Sequence, residues 1–171
     1  MDYFLISQDN RLSNRVEPVG LGKALRENPN RNALTPLQLQ ITGQDNTEYV
    51  DFIERPLPLV SDRLKELWQV YEKRAAFAPL ILADVRRGVQ YVYWSLTPPK
   101  LQCLSSSTEF NQNATLKKLV INSMAVSGFR LFQIDQVMEN LLIVNLLVLE
   151  SMLRRNFTGF KFTKVTLESK S

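Results

Sequence analysis

The sequence predicts an α+β fold, with a mostly antiparallel sheet and two or three short helices packed on it, in a single domain over residues 1–171. Three observations carry this. Short apolar runs rich in Val, Ile, Tyr and Phe recur from residue 78 onward, separated by turn-forming steps such as RRG at 86–88 and TPP at 97–99. Two stretches, 62–74 and 146–155, instead space their apolar residues by three and four behind a capping residue. The chain is 171 residues long with 44% hydrophobic and 22% charged residues, which suits one globular core. A loop-rich N-terminal region, 1–48, precedes an α+β core over 49–167.

Taken in order, DYFLIS (2–7) reads as a strand whose unbroken apolar run implies cover on both faces. Gln8 to Pro36 holds NPNRN and scattered apolar residues, so loops are expected, with a short helix around Leu21–Glu27. GLGKAL (20–25) lacks the spacing of a phosphate-binding loop and reads as a turn. YVDFIE (49–54) is a second strand, closed by RPLP. Ser61 then caps a helix over 62–74, with Asp62 at its positive end and Leu64, Leu67, Trp68 and Tyr71 as its core stripe.

APLILADV (78–85) and VQYVYWSL (89–96) form a hairpin through Arg86-Arg87-Gly88. KLQCLS (100–105), LKKLVINSM (116–124) and FRLFQI (129–134) extend the β-rich pattern. Neither face of FRLFQI is cleanly polar, which predicts a central strand. The greasy segment 141–165 divides into three parts. LLIV is a strand, and Asn145 caps a helix over 146–155 with Leu146, Leu149, Met152 and Leu153 on its buried face. Asn156 and Gly159 then stop the helix before a final strand, FKFTKV (160–165). Glu150, Arg154 and Arg155 interrupt the run too early for a membrane span, which needs about 20 apolar residues.

Composition excludes several chemistries. The chain has no histidine, so a Ser-His-Asp or Cys-His arrangement is impossible, and a metal site would rest on one cysteine plus carboxylates. Cys103, in an apolar strand, reads as a small core residue. No cofactor, metal or small-molecule ligand is expected, and an enzyme built on carboxylates would need a deep pocket holding several acids, which no local spacing announces. The N-terminus carries an acid at position 2 and an apolar run of only four residues, which predicts a cytoplasmic protein rather than an exported one. Net charge is +4 but unevenly spread. Residues 45–72 hold seven acids against three bases, and residues 73–118 hold seven bases against two acids. Glu48, Asp51 and Glu54 are the candidate contacts for a basic partner; Arg86 and Arg87, with Lys100, are those for an acidic one. The basic 73–118 segment also leaves an alternative reading, a nucleic-acid-associated regulatory protein.

In the second half, VSDRLKEL (60–67), YVYWSLTPPKLQCLS (91–105), GFRLFQID (128–135) and the closing LLIVNLLVLESMLRRNFTGFKFTKV follow one another in an order that resembles a bacterial family of immunity proteins from polymorphic toxin systems, first catalogued as a domain of unknown function. The ending is similar to that family's strand, short helix and terminal N-x-T-G-x-x-F. The resemblance covers roughly residues 50–166, and it departs in carrying Asn145 where a serine cap is expected and in the first quarter of the chain. It implies a single-domain, non-enzymatic α+β protein that neutralises a cognate toxin by binding it directly.

Overall fold

The computed structural model describes residues 1–29 and 35–168. Residues 30–34, part of the expected loop segment, and 169–171 lie outside the described residues. Two five-stranded sheets dominate. In the first, β1 (Tyr3–Gln8) lies between β13 (Phe160–Lys164) and β12 (Leu142–Asn145), followed by β11 (Leu131–Ile134) and β7 (Lys100–Leu101). In the second, β2 (Leu37–Ile41), β5 (Ala76–Asp84), β6 (Val89–Thr97), β4 (Leu59–Ser61) and β3 (Phe52–Ile53) lie side by side. Two small sheets complete the described strands: β8 (Glu109–Phe110) with β9 (Leu116–Lys118), and β10 (Val120–Asn122) with β14 (Thr166–Glu168). The helices are α1 (Leu21–Glu27), α2 (Asp62–Tyr71) and α3 (Leu146–Arg154).

The α+β class is as expected, but the sheets are mixed. The pairs β2/β5, β7/β11 and β10/β14 run parallel. The apparent strand 116–124 is two strands with different partners, and KLQCLS keeps regular pairing only at its start. The first 48 residues are not an appendage. β1 sits inside one sheet and β2 edges the other, because Tyr3–Ile6 and Leu37–Ile41 find a neighbour only far along the chain.

α2 and α3 each begin directly at the end of a strand. The Ser61 side chain accepts a hydrogen bond from the Leu64 N–H, and that of Asn145 accepts one from the Val148 N–H, 3.1 Å away. Both caps are extended, which is what lets a strand pass into a helix without a loop. α2 buries Leu64, Leu67 and Trp68. α3 buries Val148, Leu149 and Met152, so Leu146 and Leu153 are not the core positions the sequence suggests; Leu153 is 46% exposed. The helix is covered on one side only.

The two sheets are built to one plan. In each, a short strand, an antiparallel strand, a capped helix and a returning strand follow in order. The central strand is β6 in one case and, by permutation, the N-terminal β1 in the other. Register makes the correspondence residue by residue. Tyr93 pairs with Ser61 and Tyr3 with Asn145. Phe52 pairs with Val60 and Leu131 with Val144. The Ser61 N–H donates to the Asp51 carbonyl, as the Asn145 N–H does to the Arg130 carbonyl. The buried phenols are alike in part: Tyr93 donates to the Val50 carbonyl, and Tyr3 donates to the Val126 carbonyl at 3.0 Å with that of Phe129 3.3 Å away. β10 pairs with β14 as β2 does with β5.

This repetition distributes the core. Ile6, Leu96, Phe52, Leu131, Val60 and Val144 meet the helix residues Leu64, Trp68, Val148 and Met152 in one cluster shared by both sheets. Alternate residues on the same strands face outward into two further clusters, one under α1 and Val16 and one under Cys103, Ile121 and Val126. The inner strands of each sheet are therefore covered on both faces over much of their length, which accounts for the apolar runs at 3–6 and 142–144.

The turn after α3 locks the halves together. Gly159 has φ +90°, and a Cβ there would lie 2.5 Å from the Phe52 carbonyl oxygen and 2.7 Å from Val50 Cβ. Gly159→Ala combines left-handed backbone strain with a backbone clash. It is expected to lower stability by on the order of 3 kcal/mol in urea unfolding, with little change in the denaturant slope.

Candidate functional site

The five residues singled out by charge do not share one environment. Asp51 is buried at 9% exposure. Its carboxylate accepts the Ser61 hydroxyl at 2.6 Å and the Thr158 N–H at 2.9 Å, so it joins the cap of α2 to the turn after α3. Glu54 is half-buried and exchanges hydrogen bonds with Gln8, each accepting the other's backbone N–H at 3.1 Å. Both act inside the fold. Glu48, Arg86 and Arg87 are exposed.

Those three lie on loops at one end of the second sheet. The β5–β6 hairpin turns at Val85–Gly88, where Gly88 has φ +64°. Asp84, fully buried, holds that turn: its carboxylate accepts the N–H groups of Arg86 and Arg87 at 3.1 Å each. The Tyr49 hydroxyl donates to the same carboxylate at 2.8 Å, and Tyr49 stacks on Tyr91 at 3.5 Å between ring centroids. Gly43 packs so closely that any Cβ would overlap the Asp84 carboxylate. The loop at 42–49 is thereby fixed against the hairpin, and Arg86 reaches Asp45 at 3.2 Å. Beside it opens a polar cleft of about 550 Å³, walled by residues 13–17 and 40–47. Its two sides are tied by backbone bonds between Asn14, Val16 and Glu48.

Burial alone would raise the Asp84 pKa, but the Tyr49 hydroxyl and the N–H groups of Arg87, Gly43 and Arg86 outweigh it and hold the carboxyl below its ordinary value. Burial and the neighbouring carboxylate push the Tyr49 phenol up to about 12. Glu72, at the end of α2, is another buried carboxylate. Desolvation pushes it up, while Arg74 and the N–H groups of Arg130 and Arg74 pull it down more strongly, so it too is depressed. Arg74 also donates to the Gly128 carbonyl at 2.9 Å and lies over the Phe129 ring. Burial raises the Cys103 thiol to about 11, the signature of an inert core thiol.

Asp84 and Glu72 are thus held by protein donors and the Tyr49 phenol by its acceptor, and among the described residues no group of three or more Cys, Asp or Glu is placed to hold a metal ion. What remains available is surface: Glu48, whose carboxylate touches only Asn14 Nδ2 at 3.4 Å, and Arg87, without an ion-pair partner among the described residues. The Asp84–Tyr49 brace is what sequence reasoning misses. Its only local signal is Asp at the strand end two residues before Arg-Gly, an acid that caps its own turn. No family model matches the chain, and no curated protein matches it. No helix among the described residues is long and apolar enough to cross a membrane.

Two titrations check this electrostatics. A depressed Glu72 contributes stability that is present above its unfolded value of 4.5 and lost as pH falls through and below it. Urea midpoints are therefore expected to fall on acidification past 4.5, and Glu72→Gln is expected to flatten that dependence. Tyr49 contributes stability present below 10 and lost as pH rises toward about 12. Tyrosinate absorbance is expected to show a late-ionising phenol that Tyr49→Phe removes.

Proposed function

We propose that the protein is a cytoplasmic immunity protein that neutralises a cognate bacterial toxin by covering it in a direct complex. The observation that carries this reading is the division of its charged groups. The buried acids Asp51, Glu72 and Asp84 are saturated by internal donors, whereas Glu48, Asp45, Arg86 and Arg87 stand on braced loops beside an open cleft, without lining it. Loops on a rigid scaffold are where recognition sits in folds of this kind. A surface that only has to exclude a substrate from another protein's active site needs area, shape and complementary charge, and none of the proton-transfer groups that turnover demands.

The resemblance in the second half points the same way. With Asp51 and Glu54 engaged inside the fold, the face offered to a basic toxin reduces to Asp45 and Glu48, and Arg86 and Arg87 give it mixed sign. The nucleic-acid alternative fares less well. Of the seven bases between 73 and 118, Arg74 pairs with Glu72, Arg86 with Asp45 and Lys117 with Glu109, which leaves no run of free cations in that segment.

The test is co-expression with the toxin encoded beside this chain's gene, with cell survival and co-purification as readouts. Survival and a stable complex are expected, with Glu48→Lys or Arg87→Glu slowing association on the order of tenfold and weakening the fall of its rate with salt. A folded protein that neither protects cells nor binds the toxin overturns the proposal. So does a salt-sensitive gel shift with unrelated DNA in its place.

A further inference from the structure

The internal repetition gives a control for every exposed position on α3 and β13, namely its counterpart on α2 and β5. Register sets Asn145 on Ser61 and Lys164 on Pro79. Exposed Arg63 and half-buried Gln69 of α2 correspond to Leu147 and Leu153 of α3, and half-buried Phe77 corresponds to Phe162. Leu147, Leu153 and Phe162 are 43%, 46% and 44% exposed. The fold does not require apolar side chains at these helix positions, because the other half places polar ones there. Leu153 stands where α2 carries Gln69, and Phe162 is more exposed than its counterpart Phe77. α2 exposes Val70 instead, but Leu153 and Phe162 share one opening with Phe157 and Phe160, and that clustering marks a contact surface.

Its shape is a groove. Leu153 on α3 and Phe157, Phe160 and Phe162 line an opening of about 740 Å³ that reaches Arg11 and Lys161. One wall is β13, the outer strand of its sheet. The Val165 N–H bonds to the Tyr3 carbonyl and the Asp9 N–H to that of Gly159, so alternation leaves the backbone groups of Phe160, Phe162 and Lys164 on the open side. At the matching edge of β5, Pro79 has no N–H to offer. The surrounding acids are already taken: Asp2 by Lys164, Asp9 by Arg11 and Glu150 by Arg154. Lys161 and Arg155 have no carboxylate partner among the described residues.

We propose that the open edge of β13 receives an extended acidic segment of a partner protein, which adds a sixth strand to the β1 sheet. Its apolar side chains fill the groove between Leu153 and Phe162, and its Asp or Glu residues alternate to the opposite face against Lys161. A second copy of this chain fits poorly, because it would bring another Lys161 and Lys164 to the same edge without adding a carboxylate. This surface is separate from the loop cleft of the other sheet and goes beyond the function proposed there.

A random peptide display library selected on the intact protein tests it. Enriched sequences are expected to alternate apolar residues with Asp or Glu. Their affinity is expected to drop at least about tenfold on Lys161→Glu, an exposed position with no interior contact, and on Phe162→Ser with circular dichroism confirming the fold. Glu48→Lys is expected to leave that binding unchanged, so failure here and failure of toxin neutralisation are distinguishable. No enrichment, no acidic bias, or equal binding to the Lys161→Glu protein overturns the proposal. A wild-type dimer in sedimentation that Phe162→Ser disperses also overturns it, and assigns the edge to a second copy.

Discussion

The structure depends on helices that start inside strands. Ser61 and Asn145 each end a β-strand, give their backbone N–H to a carbonyl one strand away, and turn a side-chain oxygen to the first helical turn. A helix begun this way has no loop in which to reorient, so its buried stripe is aimed by the sheet. α2 and α3 are short, too short to persist on sequence preference alone. They hold because Trp68 and Met152 land in a core to which both sheets contribute, and the Tyr71 hydroxyl meets that of Ser151 at 2.6 Å across the helix pair.

Buried carboxylates sit where the halves meet. Asp51 precedes a strand of one half and binds Thr158, after the helix of the other. Glu72 follows the helix of the first half and accepts the N–H of Arg130, before a strand of the second. Each is neutralised by donors it also positions, so desolvation is offset at the points where misdocking of the halves would leave an acid unpartnered. That arrangement favours one mutual orientation over the many that apolar contact alone would tolerate.

Much of this was readable from local chemistry. The α2 cap, the Asn145 cap, the β5–β6 hairpin and the stop at Asn156, whose φ is +52°, depend on neighbours within a few residues, and all appear as expected. The parallel pairings do not, because β2 and β10 acquire their partners from about forty residues away and carry no turn signal. Asp51 looks like a surface acid in sequence, since nothing near it reveals Thr158. The repeated plan leaves only faint traces, such as Tyr-Phe-Leu-Ile at 3–6 against Tyr-Trp-Ser-Leu at 93–96, because a core position asks for volume and polarity rather than identity. The loop cleft and the β13 groove are assembled from distant segments and had no local signature at all.

Permutation of the second half has a consequence for how the chain is made. Tyr3–Gln8 leaves the ribosome well before the strands that flank it, at 142–145 and 160–164. Until they appear a ribbon of Tyr, Phe, Leu and Ile must wait with both edges unsatisfied, while the segment 37–97 already holds all five strands of its own sheet. Closure of the sheet around β1 thus waits for residues 142–164, after the strands of the other sheet have been made.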